Sequence, residues 1–180
     1  MKVKDITLIS LFTTMMIVGT IIIPPIHILN IPITLQILIV MLAGIFLKPI
    51  NAFMSMFLYL LIGLLGVPVF SGFSSGVAAI LGPTGGFLVS FPIMAAIISL
   101  IYRLKYSKYC LIISLVVGII CSYLIGLSFL SIYLKITFIE SLFSMYLFLL
   151  IDFIKVVIVV MIEGKIKGYI ILNRKVQQLR

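Results

Sequence analysis

Apolar residues run along this chain in long stretches that show no alternation with polar ones, and each stretch stops where prolines, glycines or charges gather. Breaking the chain at those points gives six candidate spans, residues 6–24, 33–47, 52–66, 86–102, 109–134 and 141–163. A hydrocarbon core of about 30 Å takes roughly 20 helical residues to cross. Lipid offers no partner for backbone N–H and C=O groups, so each span is expected to be a helix; the alternation that marks a barrel strand is missing. The second and third spans are short for a full crossing.

Composition strengthens the pattern. Hydrophobic residues make up 64% of the 180 positions and charged residues 9%, with a mean hydropathy of +1.44, whereas soluble domains carry about 25% charge. The expectation is an all-α integral membrane protein: one membrane domain, residues 1–180, with no room for a separate soluble domain. Span 1 is too long for the apolar core of a cleavable signal peptide, and no small-residue cleavage site follows it.

Charge then orients the spans. Lys2 and Lys4 precede span 1, Lys48 separates spans 2 and 3, and Arg103, Lys105 and Lys108 separate spans 4 and 5. Lys165, Lys167, Arg174, Lys175 and Arg180 follow span 6. The opposite connections, "IIIPPIHILNIPIT" and the glycine-rich run after span 3, carry no Lys or Arg. By the positive-inside rule both termini are cytoplasmic in a multi-pass protein of the cell membrane. The net charge of +9 therefore serves topology and anionic headgroups, and nucleic acid is not an expected partner. Cys110 and Cys121 have no metal or redox spacing and read as small core residues.

Two of the 13 basic residues escape the topological count, Lys135 and Lys155. Lys135, at the outer end of span 5, is explained by snorkelling to the headgroups or by a loose pair with Glu140. Lys155 stands with Asp152 inside "YLFLLIDFIKVVIVVMI". Each ionised group at mid-membrane costs about 2.5–3.5 kcal/mol on insertion scales, so both must face protein. At i and i+3 they share a helical face. One reading is an ion pair that only glues helices; the other is a ligand site, favoured because buried pairs add little net stability over apolar packing. A proton relay lacks onward groups, since Asp5, Glu140 and Glu163 lie near membrane surfaces. His27, alone in an outward connection, reads as a loop residue and not as a ligand.

The glycine-rich run "GLLGVPVFSGFSSGVAAILGPTGGFLVSF" ends in a turn at Gly82 to Gly86. Pro83 suits the second turn position, Gly85 or Gly86 a positive φ, and Thr84 the cap of span 4, with free N–H groups directed at a ligand. A close-packing seam between helices is the competing reading, through the G-x-x-x-G spacings. A nucleotide P-loop is excluded, because its Lys and its spacing are both missing. The apolar residues Val67, Val69, Phe70, Phe73 and Ile80 are expected to turn inward, and Thr34 and Gln36 add polar groups at the head of span 2. The candidate substrate-binding residues are Asp152, Lys155, Gly82, Thr84, Gly85, Gly86, Gln36 and Phe73, around an apolar cavity with one polar end. The sequence contains no catalytic constellation and no metal-ligand cluster.

The segments "IPITLQILIVMLAGIFLKP", G-x-P-V-F, G-P-T-G-G, "YLIG" and "DFIK" together resemble the BioY family, the biotin-specific substrate-binding subunits (S components) of energy-coupling factor transporters. The resemblance implies the S-component fold, a subunit that captures biotin from outside with no cofactor of its own, and work beside a transmembrane coupling subunit and two ATP-binding-cassette ATPases. It implies that Asp152 and Lys155 hold the polar groups of biotin, with either the ureido ring or the valeryl carboxylate at the lysine. It also places Ser10 and Thr14 of "SLFTTMMIVG" on the small-x-x-x-small surface that docks the coupling subunit. An S component for another small vitamin, or a subunit whose pair only packs helices, is the alternative. Leu150 and Ile151 stand where the family commonly has Pro-Gly, so the helix is expected to run unbroken into Asp152. Phe87 stands where a Tyr often follows G-P-T-G-G.

Overall fold

The computed structural model describes residues 2–22, 26–28, 31–105 and 107–178. Pro24, Pro25 and Arg180 lie outside the described residues, as do the side chains of His27, Lys167, Arg174 and Lys175. The chain forms α1 (Val3–Ile22), a two-stranded ribbon of β1 (Ile26–Ile28) and β2 (Ile31–Ile33), α2 (Gln36–Phe46) and α3 (Pro49–Leu64). A 3-10 turn (Ser71–Phe73) follows, then α4 (Gly76–Leu81), α5 (Gly85–Leu104), α6 (Lys108–Leu134), α7 (Phe138–Ser144) and α8 (Tyr146–Gln178). In the antiparallel ribbon, Ile26 pairs with Ile33 and Ile28 with Ile31.

Local chemistry sets several helix ends. Pro49 opens α3 directly after the extended Lys48, where its fixed φ fits and its missing N–H costs nothing. The Ser107 side chain accepts from the Cys110 N–H to start α6, and Lys135 ends that helix in the left-handed region at φ 57°. Thr137 and Glu140 form a reciprocal capping box at the start of α7. Glu140 is thereby committed to Thr137 and does not pair with Lys135, which stays exposed.

α1, α5 and α6 are long and apolar enough to cross a membrane, and α7 with α8 makes a fourth candidate bent by 60°. α2 and α3 are apolar but short, at 11 and 16 residues, or about 17 and 24 Å at 1.5 Å per residue. The expected sixth span is corrected in one respect. It breaks at Met145, whose N–H bonds to Leu142 O, instead of running straight over 141–163. Beyond the break, α8 runs unbroken through Leu150, Ile151 and Asp152, as expected from the missing Pro-Gly.

α5 is the hub, packing most extensively on α6 and then on α3 and α2, while α8 lies against α2 and α6. Small residues permit these approaches. A Cβ on Gly44 of α2 or Gly118 of α6 would collide with Ile98 of α5 at 2.7 and 2.5 Å. Hydroxyls cross-link the same seams: Ser99 donates to Leu47 O at 2.6 Å, Thr13 to Ser55 O at 2.9 Å, and the Ser90 and Ser122 oxygens lie 2.6 Å apart. In an apolar surrounding such bonds and close contacts carry helix association. Glu163 is buried within the protein, where Tyr102 of α5 donates to it. Cys110 and Cys121 are half-buried, not core residues.

Candidate functional site

α8 begins at the Met145 break and its first turns lie against the head of α2, which brings Asp152 and Lys155 in from the protein side. They are 2% and 8% exposed. Lys155 Nζ donates to Asp152 Oδ1 at 2.7 Å and to the backbone carbonyl of Thr34 at 2.9 Å. Tyr123 of α6 donates its hydroxyl to Asp152 Oδ2 at 2.8 Å. The pair is thus tied to α2 on one side and α6 on the other. Every ionised atom has a partner, the condition under which a buried pair persists.

This polar cluster forms one pole of a partly open cavity whose lining is mostly apolar with a few convergent polar groups, the make-up of a small-molecule site. Phe70, Phe87, Phe91, Phe148, Met145, Ile37, Leu88 and Ile151 make its apolar walls. Thr34 and Gln36 line it from the head of α2, and Ser71, Ser74 and Thr84 from the connection between α3 and α5.

The walls are positioned by a second network. Thr34 Oγ1 donates to Gln36 Oε1 at 3.0 Å, Gln36 Nε2 to Tyr59 Oη at 2.7 Å, and Tyr59 Oη to Val69 O at 3.0 Å. Gln36 is therefore held by α3 while it lines the cavity. Phe70 meets the Tyr59 ring edge-on with centroids 5.4 Å apart, in space that Gly63 leaves open: a Cβ there would sit 2.0 Å from the Phe70 ring. Phe87 meets Tyr123 edge-on, also at 5.4 Å, in the space left by Gly126.

Four expected site residues, Asp152, Lys155, Thr84 and Gln36, line this cavity together. Four others do not. Phe73 is 62% exposed and does not line the cavity; Phe70, three positions earlier, takes the wall position. Gly85 and Gly86 start α5 without positive φ, which occurs instead at Gly66, Gly72 and Gly76. The Gly85 N–H is spent on Gly82 O and the Phe87 N–H on Thr84 O, so neither serves as a free donor to a ligand. Gly86 packs against Phe129 and Gly126 of α6 and Gly85 against Ile80 O, which is the close-packing alternative; Gly82 takes no part in the lining. Thr84 occupies the cap position of α5, yet its side chain makes no capping bond. Val67 is also exposed, whereas Val69 and Phe70 are buried as expected.

Tyr59, Ser71, Phe91 and Phe148 are lining or supporting residues that the sequence does not mark, and Tyr123 enters it only as the first residue of "YLIG". The one available signal was Tyr123 three residues before Gly126, a polar aromatic beside a gap on one helical face. Among the described residues no group of His, Cys, Asp and Glu is placed to hold a metal ion.

Known proteins resemble this chain in sequence and in fold. The chain is 41% identical over 127 residues to a probable biotin transporter BioY of Pyrococcus horikoshii, covering 70% of this chain and 74% of that protein. It is 40% identical over 126 residues to the biotin transporter BioY2 of Lactococcus lactis, covering 69% and 68%. A crystal structure of the S-component for biotin from an ECF-type ABC transporter superposes with a TM-score of 0.83 at 27% identity, over 92% of both chains. The BioY family model matches residues 1–170, and the chain belongs to the BioY family.

Proposed function

We propose that this chain is the biotin-binding S component of an energy-coupling factor transporter, a single membrane domain of six spans with both termini cytoplasmic. It captures biotin from outside with high affinity and releases it inward when an ATP-driven coupling module acts on it. The relatives are transporters and not enzymes, which accords with a site built to hold a molecule unchanged. The short α2 and α3 complete the six spans in this reading, joined to the preceding ribbon and the following turn.

The observation that carries the proposal is the Asp152–Lys155 pair at one pole of a cavity whose walls are mostly apolar. The pair is neutral as a whole, so it favours a neutral group carrying both donors and an acceptor. Biotin's ureido ring is such a group. Two of the three Lys155 N–H groups are committed, which leaves one for the ureido carbonyl. The Asp152 oxygens and the Tyr123 oxygen keep lone pairs for the ureido N–H groups. A carboxylate placed there would lie against the Asp152 charge. The sulfur ring and valeryl chain lie along the walls of Phe70, Phe87, Phe91 and Phe148, with the carboxylate at the end away from the pair.

Ser10 and Thr14 are exposed on α1 while its Ile9, Phe12, Thr13, Met16 and Thr20 turn inward. In this reading they form the surface that meets the transmembrane coupling subunit, which two ATPases drive. Calorimetry on the purified full chain in lipid nanodiscs tests the central claim. Saturable biotin binding at micromolar concentration or below is expected; binding of another vitamin instead, or of none, would sink it.

A further inference from the structure

Among the described residues, one buried side-chain polar atom has no hydrogen-bond partner in the protein, and it belongs to a residue of the cavity wall: Ser71 Oγ. Buried hydroxyls are nearly always paired, so an orphan calls for a reason. Its surroundings are built firmly. Phe70 N bonds to Ser74 O at 3.1 Å, and Ser74 Oγ to Ser71 O at 2.8 Å. Gly72 at φ 70° and Phe73 at φ 57° fold the turn back on itself, and Phe70 roots it in the core at 1% exposure. The carbonyl of Ser71 is thus used and its hydroxyl is left over, on a fixed backbone.

Ser71 belongs to the cavity's cap, the connection between α3 and α5, whereas the charge pair belongs to α8. The two walls present different chemistry. The α8 wall is a neutral pair that takes a donor-and-acceptor group; the cap holds a buried, unpartnered hydroxyl on a residue that lines the cavity. Resting on the biotin reading, we infer that Ser71 is a specificity-determining residue whose hydroxyl donates to the ligand's carboxylate at the cap. A ligand with a neutral ring at one end and a carboxylate at the other satisfies both walls once rotation about the Ser71 Cα–Cβ bond turns Oγ from its buried position toward the cavity.

The test compares wild type and Ser71→Ala, as full chains in nanodiscs, with biotin and with an analogue in which a methyl group replaces the carboxylate. The alanine removes an unpaired hydroxyl from the ligand-free protein, so its thermal midpoint is expected to be unchanged or raised. Biotin affinity should fall about tenfold, as for loss of a hydrogen bond to a charged group, while the analogue binds both proteins equally. Unchanged biotin affinity overturns the inference. So does an equal loss for both ligands, or a lower midpoint without ligand, since either marks a wall-packing role. A wild type that binds no biotin overturns the biotin reading and this inference with it; a wild type that binds while Ser71→Ala is unaffected overturns this inference alone.

Discussion

Tyr123 of α6 holds Asp152 of α8, hydroxyl to Oδ2 at 2.8 Å, joining the two helices independently of the lysine. The same ring packs edge-on against Phe87, so one side chain aims the carboxylate and builds the wall. Removal of the hydroxyl alone separates the two tasks. Tyr123→Phe keeps the ring contact and deletes a hydrogen bond to a charged group, about 1.5–3 kcal/mol. Biotin affinity is expected to drop at least tenfold, and the thermal midpoint to fall by a few degrees because Asp152 Oδ2 loses its partner. Equal affinity for the two proteins in titration calorimetry would show that Asp152 needs no aiming.

The charge pair should behave as a unit. Asp152→Asn leaves the Lys155 ammonium with a neutral amide and the Thr34 carbonyl, and Lys155→Met leaves the Asp152 carboxylate with Tyr123 alone. Breaking a buried pair from one side costs several kcal/mol, whereas replacing both members is often near neutral. Each single variant is therefore expected to lower the thermal midpoint more than Asp152→Asn/Lys155→Met together, while all three lose biotin binding by tenfold or more. If the double variant binds as wild type does, the pair is helix glue and nothing else.

How far the sequence reached follows from what kind of constraint each feature obeys. Helix positions were legible because hydrocarbon imposes length and apolarity, and the start of α5 at Gly85 lies one residue from expectation. Asp152 and Lys155 stood out because charge in such a run is costly. The break at Met145 had no proline or glycine to announce it. Phe70 and Phe73 are both aromatic residues of one loop, and only the gap at Gly63, on a helix seven residues before Phe70, decides which ring is buried. Gly85 and Gly86 matched a ligand-cradling turn and a packing seam equally well. The distinction rests on Phe129, far along the chain, filling the space beside Gly86.

That gap makes its own prediction. In Gly63→Ala the new methyl would lie 2.0 Å from the Phe70 ring, with two further ring atoms at 2.4 and 2.6 Å. The ring must leave its place beside Tyr59, which disturbs the anchor of Gln36 as well. Overpacking of this kind costs about 1–3 kcal/mol, and both thermal midpoint and biotin affinity are expected to fall. Gly164→Ala is the control, because nothing lies within 4 Å of a Cβ there and alanine is the better helix former. Matching effects from the two substitutions would disprove the fitted-gap account.

The exposed face of α1 separates capture from delivery. Ser10 and Thr14 lie one turn apart on that face, opposite the residues that pack on α3 and α2. Small side chains at this spacing let a partner helix approach closely, and leucine would hold it off by the width of a side chain without touching the cavity. Ser10→Leu and Thr14→Leu should therefore bind biotin as wild type does in the isolated subunit. Co-purification with the coupling subunit and the ATPases, and ATP-dependent biotin uptake into proteoliposomes, are expected to fall severalfold. Loss of binding in the isolated variants would move α1 from the docking surface to the pocket, and normal uptake would place the docking surface elsewhere.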